Sequence, residues 1–352
     1  MCGIAGFFSL NNQPLPQGAR HLSVMSNLLA HRGPDDSGSW ISENHAVGLA
    51  HQRLSIIDLS KSAAQPMHGN NRTSIVFNGE IYNYLELRNE LSTSWEFQTK
   101  SDTETILASY KNYGLGCLDH LRGMFAFALW DERKKRFFCA RDRFGIKPFY
   151  YTVVGDIFYY ASEIKALLPF VEDVATDLDS LNDYLTFQFT LGEKTLFQGI
   201  KKLEPGHMLT IENSTLSVKK YWEVYYDIDF NHKESNLVEE IRDLMDESMN
   251  LHMRSDVPVG AYVSGGRDSS IVASLASQIE SSEFKAFTGK FSYGEGYDES
   301  MYARDLAKQY SFDLHELDIQ SDDFVSSIEK IIYHLDEPVA GPGSFPQYQI
   351  SK

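Results

Sequence analysis

Residues able to do chemistry stand at both ends of the chain. It begins Met1-Cys2-Gly3-Ile4-Ala5-Gly6, so loss of the initiator would leave a thiol and a free α-amine on one carbon. Such an amine titrates at about 7.7–8.0 and is partly unprotonated near neutrality. A thiol beside it is a compact activated nucleophile. The competing reading is a small cysteine buried in a first strand. A second cluster, VSGGRDSS (263–270), follows an apolar run and precedes a helical one. Its glycines let backbone approach an anion, the helix N-terminus offers free N–H groups, and serine hydroxyls add donors. No Gly-Lys-Ser/Thr follows, so it is not a Walker A loop; the alternative is a serine-glycine turn capping a helix.

Two kinds of framework must position these clusters. TSIVF (73–77), EIYNY (80–84), MFAFALW (124–130), RFFCARD (136–142), PFYYTVV (148–154) and IFYYASE (157–163) are aromatic and β-branched runs divided by turn residues. They predict antiparallel sheets, and Asn78-Gly79 reads as a type I′ hairpin turn. Helices are expected over 15–31, 84–92 and 102–114, the last with Ser101 or Asp102 as N-cap and Gly114 as stop. FQGIKKLEPGHMLTI reads as a hairpin or arm turning at its Pro-Gly, with a connector after it. From 236 onward helices (236–255, 269–282, 299–312) alternate with strands (257–263, 284–291, 313–319), which predicts a parallel α/β sheet. The expected division is 2–200, an arm and linker over 201–235, and 236–352.

With 352 residues and 42% hydrophobic content, the chain can bury two cores. Its net charge of -17 argues against nucleic-acid binding. Cys2, Cys117 and Cys139 make no disulfide framework, and no His/Cys cluster has metal-ligand spacing; His31 and His51 read as scaffold. No signal peptide or membrane span is evident, so a cytoplasmic protein is expected.

Cys2-Gly3-Ile4-Ala5-Gly6, HRGPDDSG (31–38), HQRLSIIDLS (51–60), FNGEIYNY (77–84), SDTETIL (101–107) and RDRFGIKPFYY (141–151), with the loop after Val263, occur in one order. Together they resemble the B-type glutamine-dependent asparagine synthetases. The resemblance implies an α+β N-terminal-nucleophile αββα sandwich, a class II glutamine amidotransferase, followed by an α/β ATP pyrophosphatase (PP-loop) domain. It makes Cys2 the nucleophile, with Asn78 and Gly79 as oxyanion donors. Glutamine is a zwitterion: Arg53 suits its carboxylate and Asp102 its ammonium, with Leu54, Ile56, Ile57, Asn78, Gly79 and Glu80 completing the pocket. From residue types alone, Arg53 equally reads as a surface salt-bridge arginine and Asp102 as a helix cap.

For ATP the resemblance implies Val263, Ser264, Gly265, Gly266, Asp268, Ser269, Ser270 and Gly289, with Asp268 on Mg²⁺. Arg267 stands where the family more often has an apolar residue. Asp336 and Glu337 match the family's DEP stretch, but AGPGSF (340–345) departs from what usually follows. The implied partners are glutamine, ATP and aspartate or another carboxylate such as a sugar acid, with a homodimer compatible. The family's later glycine- and acid-rich loop has no counterpart before Lys352. The ATP domain is therefore expected to be its N-terminal part only, with a bare glutaminase or a silent binding protein as the alternatives. The related phosphoribosyl-pyrophosphate and fructose-6-phosphate amidotransferases lack the serine-glycine loop.

Overall fold

The computed structural model describes residues 1–231, 233–280, 284–292, 296, 298–339, 341 and 343–352. The chain divides into two units, Met1–Tyr225 and Tyr226–Lys352. The strands of the first unit are β1 (Gly3–Ser9), β2 (Asp36–Ile41), β3 (Val47–Arg53), β4 (Met67–Gly69), β5 (Thr73–Ile81), β6 (Gly123–Asp131), β7 (Arg136–Arg141), β8 (Tyr150–Val154), β9 (Ile157–Ala161), β10 (Lys201–Lys202), β11 (His207–Glu212) and β12 (Thr215–Lys220). They form two antiparallel sheets, ordered β10-β8-β9-β1-β3-β2 and β12-β11-β7-β6-β5-β4.

Alternation along the strands explains how the sheets stack. In β1, Ile4 and Phe8 face the second sheet's Val76, Ala128, Trp130 and Phe137. Ala5 and Phe7 face the opposite way, onto Leu22, Met25 and Leu29 at the helical spacing of α1 (Gly18–Leu28). The outer face of the second sheet is covered by α2 (Tyr84–Leu91) and α3 (Asp102–Tyr113), through Leu87, Leu91, Ile106 and Leu107 against Ile75, Phe77 and Phe127. The layers therefore run helix, sheet, sheet, helix. Both faces of β1 are buried, which is why it is an unbroken apolar run. Two further helices, α4 (Cys117–His120) and α5 (Leu178–Phe187), complete the unit's helical set.

One turn expectation and one hairpin expectation give way to long-range pairing. Asn78-Gly79 lies inside β5, with Asn78 opposite Ala126 and Gly79 opposite Phe125. A Cβ on Gly79 would stand 2.2 Å from the Met124 carbonyl oxygen, so glycine is required by close approach of β6 and not by a turn. Pro205-Gly206 turns as expected, with the His207 N–H on the Glu204 carbonyl at 3.2 Å and Gly206 at φ +67°, but it does not close a hairpin. The strand before it pairs with β8 in the first sheet and the strand after it with β7 in the second. The hairpin lies between β11 and β12, at Asn213 and Ser214, whose φ angles of 49° and 63° fit a type I′ turn. Residues expected as an arm thus extend both sheets, and the first unit runs on to Tyr225.

The second unit contains α6 (Glu234–His252), β13 (Gly260–Tyr262), α7 (Arg267–Ile279), β14 (Lys285–Lys290), α8 (Ser300–Tyr310), β15 (Asp313–Asp318), α9 (Ser321–Leu335) and α10 (Ser344–Ser351). Its strands form a parallel sheet in chain order. The buried strand expected over 257–263 is only three residues long and half exposed. It is an edge strand among the described residues, and Pro258 has no N–H to extend it. The end of the helix expected over 269–282 (Ser281 and Ser282) and parts of AGPGSF (Ala340 and Pro342) lie outside the described residues.

Candidate active site

The start of β1 and the end of β3 are neighbours because Gly3 pairs with Gln52. Cys2 and Arg53 therefore lie side by side at the end of the first sheet. The Cys2 Sγ is 3.4 Å from both the backbone N and O of Leu54. Its carbonyl accepts from Arg32 Nε at 2.8 Å, and Arg32 is held in turn by Glu163 at 2.7 Å. Glu163 also contacts His31 and Lys165, and these hydrogen bonds with that of Arg32 keep its carboxyl down at about 2 despite burial. Burial pushes the Cys2 thiol up and the terminal amine of Met1 down.

Facing them from the second sheet is β5. Phe125, opposite Gly79, directs both its N–H and its carbonyl to Asp142, at 3.2 and 2.7 Å. The Gly79–Phe125 pair is therefore a non-hydrogen-bonded one, and the Gly79 N–H points away from β6, as do those of Phe77 and Ile81 two residues to either side. Phe77 donates to Gln65 Oε1 at 2.7 Å and Ile81 to Asp102 Oδ2 at 3.0 Å. The donor between them opens on a cavity that Cys2 also lines. Asn78 contributes a second donor, since its Nδ2 is buried without a hydrogen-bond partner. A buried, unsatisfied donor is costly unless something else uses it.

The expected residues Cys2, Arg53, Leu54, Ile56, Ile57, Asn78, Gly79, Glu80 and Asp102 all line this one cavity. Arg53 is buried, not a surface salt-bridge residue. It donates to the carbonyls of Asp58 and Ser60, so the loop after β3 wraps its guanidinium. For Asp102 the helix-cap alternative falls away. Ser101 is the N-cap, accepting from the Thr103 N–H at 3.1 Å, which leaves Asp102 as the first helical residue with its carboxyl at the cavity. Burial raises that carboxyl to about 7, and burial also raises Glu80.

Among the lining residues that escaped the sequence reading are Gln65 and Lys147. Lys147 lay within the RDRFGIKPFYY run, yet a lysine in a loop reads as solvated. Here the loop is tied down by Asp142, which accepts from the N–H groups of Phe144, Ile146 and Lys147, and the Lys147 side chain turns inward. His51 bridges the two sheets, its Nε2 donating to the Phe77 carbonyl at 3.2 Å. Full burial lowers it to about 3, so it is a neutral scaffold residue.

In the second unit another cavity opens at the carboxyl ends of β13 and β14, lined by Val263, Ser264, Phe287, Gly289, Glu299 and Ile350 among others. Gly265 has φ +86°, and a Cβ there would meet the Glu299 carbonyl at 2.7 Å. Ser264 Oγ and Ser269 Oγ are 3.1 Å apart, and the Gly266 N–H reaches Ser264 Oγ at 3.3 Å. Gly266 caps α7 without a side-chain bond. Gly265, Gly266, Asp268, Ser269 and Ser270 surround the loop beside the cavity and do not line it, and Asp336 and Glu337 likewise do not. Arg267 is exposed at the first position of α7, where it disturbs no packing. Among the described residues, no group of three or more His, Cys, Asp or Glu could hold a metal ion, and no helix is long and apolar enough to cross a membrane.

Residues 1–222 match the glutamine amidotransferase domain family and residues 240–352 the asparagine synthase family. The chain is 39% identical to asparagine synthetase [glutamine-hydrolyzing] 1 of Bacillus subtilis, aligned over 100% of this chain and 55% of that protein. It is 36% identical to the amidase chry2 of Gibberella zeae, over 96% and 54%. It is 33% identical to a putative glutamine-hydrolyzing asparagine synthetase 2 of Methanocaldococcus jannaschii, over 100% and 71%. The chain thus spans about half the length of the first two.

The buried imidazole makes a prediction about stability. The unfolded chain takes up a proton on His51 near 6.5, and the folded chain only at about 3. Folding stability is therefore full above about pH 6.5 and falls as the pH drops, by about 2 kcal/mol at pH 5 from this residue. Urea unfolding of the wild type and His51→Gln at pH 7 and pH 5 should show a smaller loss in the variant by about that amount. Equal losses would contradict it.

Proposed function

The chain belongs to the family of glutamine-hydrolysing asparagine synthetases, and on that premise we propose that its first unit is a glutaminase of the N-terminal-nucleophile kind. Loss of Met1 exposes Cys2, and its α-amine takes the thiol proton. The sulfur attacks the side-chain amide carbon of glutamine, and the tetrahedral oxyanion forms between Asn78 Nδ2 and the Gly79 N–H. Donors placed in advance for such a charge are worth about 3–4 kcal/mol each. Collapse expels ammonia and leaves a glutamyl thioester, which water hydrolyses to glutamate. The observation that carries this reading is the pair of donors, Asn78 Nδ2 without a partner and Gly79 N–H between two satisfied neighbours. Arg53 holds the substrate carboxylate. Asp102, with Glu80 beside it, holds the ammonium, while Leu54, Ile56 and Ile57 close over the carbon chain.

For the second unit we infer a PP-loop ATP site. Its loop fits a polyphosphate: Gly266 leaves room for close approach, Gly265 supplies the left-handed turn, and the α7 N-terminus has no side-chain cap. Ser264, Ser269 and Ser270 would hold phosphate oxygens, with Val263 and Gly289 against the nucleoside. Asp268 supplies a single carboxylate, which suits a Mg²⁺ ligated mainly by phosphate and water. The whole protein would activate a carboxylate as its acyl-adenylate, releasing pyrophosphate, and ammonia would displace AMP. Aspartate is the acceptor in the leading reading. The AGPGSF stretch favours a second reading, in which another carboxylate, such as a sugar acid, takes its place. Free, buried Cys117 and Cys139 suit a cytoplasmic setting.

Intact-mass measurement of the purified protein should show Met1 removed. Cys2→Ala should abolish glutamate release from glutamine with an unchanged melting temperature; an intact Met1 or a hydrolytically active Cys2→Ala would defeat the mechanism. A second outcome follows from Asp102. Because its carboxyl protonates at about 7 in the free protein and the substrate ammonium needs it ionised, glutamine affinity should fall about tenfold per pH unit below that point and level off above. Calorimetric titration of Cys2→Ala with glutamine from pH 5.5 to 8.5 should show that slope, and the added Asp102→Asn change should flatten it. A slope that persists in the double variant would assign it elsewhere.

A further inference from the structure

Lys147 is only 6% exposed, lines the same cavity as Cys2, and its ammonium makes no hydrogen bond or ion pair among the described residues. Its backbone, in contrast, is fixed at both ends of the peptide unit. The N–H goes to Asp142 at 2.9 Å, and the carbonyl accepts from Arg141 Nε at 2.7 Å. Burial opposes the ammonium's charge, and no hydrogen bond among the described residues offsets this; the Glu80 carboxylate, the Cys2 sulfur and the Asp142 carboxylate, acting only at a distance, favour it.

The charged and titratable groups around it come from several elements. Cys2 and the terminal amine precede β1, Arg32 follows α1, Glu80 is on β5, and Asp142 is on its own loop. Asp102 at the start of α3 also acts on the sulfur. Burial and the carboxyl of Asp102 both oppose ionisation of Cys2, whereas the Leu54 N–H, the Met1 terminal ammonium and Lys147 favour it. Glutamine's own charges are already matched by Arg53 and Asp102, which leaves the lysine with no substrate charge to balance.

We propose that Lys147 is a positioning residue of the glutaminase chemistry, its unpaired ammonium serving as the counter-charge to the Cys2 sulfur when the thiol ionises. This rests on the glutaminase reading for its purpose, but it can be read out without turnover. Loss of the charge should move the thiol's ionisation to a pH about one unit higher, so at pH 7 the thiolate fraction drops about tenfold. A lysine-to-arginine change keeps the charge and should keep the profile.

The test is the rate of Cys2 alkylation by iodoacetamide between pH 5.5 and 9.5, followed by peptide mass mapping. The two other cysteines are buried and serve as internal controls. Lys147→Met should move the profile up by about one pH unit and slow alkylation at pH 7 about tenfold, while Lys147→Arg leaves it in place. An unmoved profile in a folded Lys147→Met protein would overturn the proposal, even with glutamine hydrolysis by the wild type intact. Should Lys147→Met fail to fold, Glu80→Gln decides: removing the carboxylate that competes for the ammonium should move the profile down, and an upward or absent shift overturns the proposal. Absence of glutamine hydrolysis in the wild type would instead sink the glutaminase reading and leave the alkylation result standing.

Discussion

The structure of the first unit turns on one row of backbone donors. Along the outer edge of β5, the N–H groups of Phe77, Gly79 and Ile81 point the same way, beyond the short β4. An exposed row of this kind is a liability at a sheet edge. Here Gln65 and Asp102 take the outer two, and the middle one faces the cavity that Cys2 also lines. The arrangement depends on both outer acceptors being held. Gln65 is braced by Thr103 at 3.2 Å, and Asp102 is held at the start of α3, which Ser101 caps. Helix α3 thus serves the site twice, through its cap and through its first acid.

Charge supplies the second constraint. The cavity gathers Arg53 and Lys147 against Glu80 and Asp102 in a setting where burial opposes every ionised form. The fold answers with fixed backbone partners: carbonyls around Arg53 and N–H groups around Asp142, which fix the loop that brings in Lys147. His51 and Glu163 stand behind this layer. The former is kept neutral between the sheets, and the latter is kept ionised by Arg32, Lys165 and His31. Neither lines the cavity, but each fixes a strand or terminus that does. That division explains why so many polar residues are buried in this unit without disturbing its apolar core.

Much of this was legible in the residues themselves. Cys2, Arg53 and Asp102, named from chemistry and resemblance, come together on one cavity, and the helices over α1, α2 and α3 follow from spacing and caps. The failures share a cause. Asn78-Gly79 and Pro205-Gly206 both carry strong local turn signals; pairing with β6 extended the first, while the second does turn but joins strands of different sheets. Local propensity has no knowledge of β6 or of the second sheet. Lys147 was missed for the same reason, since only tertiary placement turns a loop lysine inward. In the second unit, three strands in parallel order followed from the alternation, while the shortness of β13 was set by Pro258 and by its edge position.

The central claim is that a charge developing on the substrate oxygen is met by Asn78 and Gly79 after attack by Cys2. A crystal structure of the protein inactivated with a glutamine-derived diazoketone tests it most directly. The account predicts a single covalent bond to Cys2 Sγ, with the former amide-position oxygen about 2.7–3.1 Å from both Asn78 Nδ2 and the Gly79 nitrogen. A bond to any other residue, or an oxygen turned away from those two donors, would contradict it.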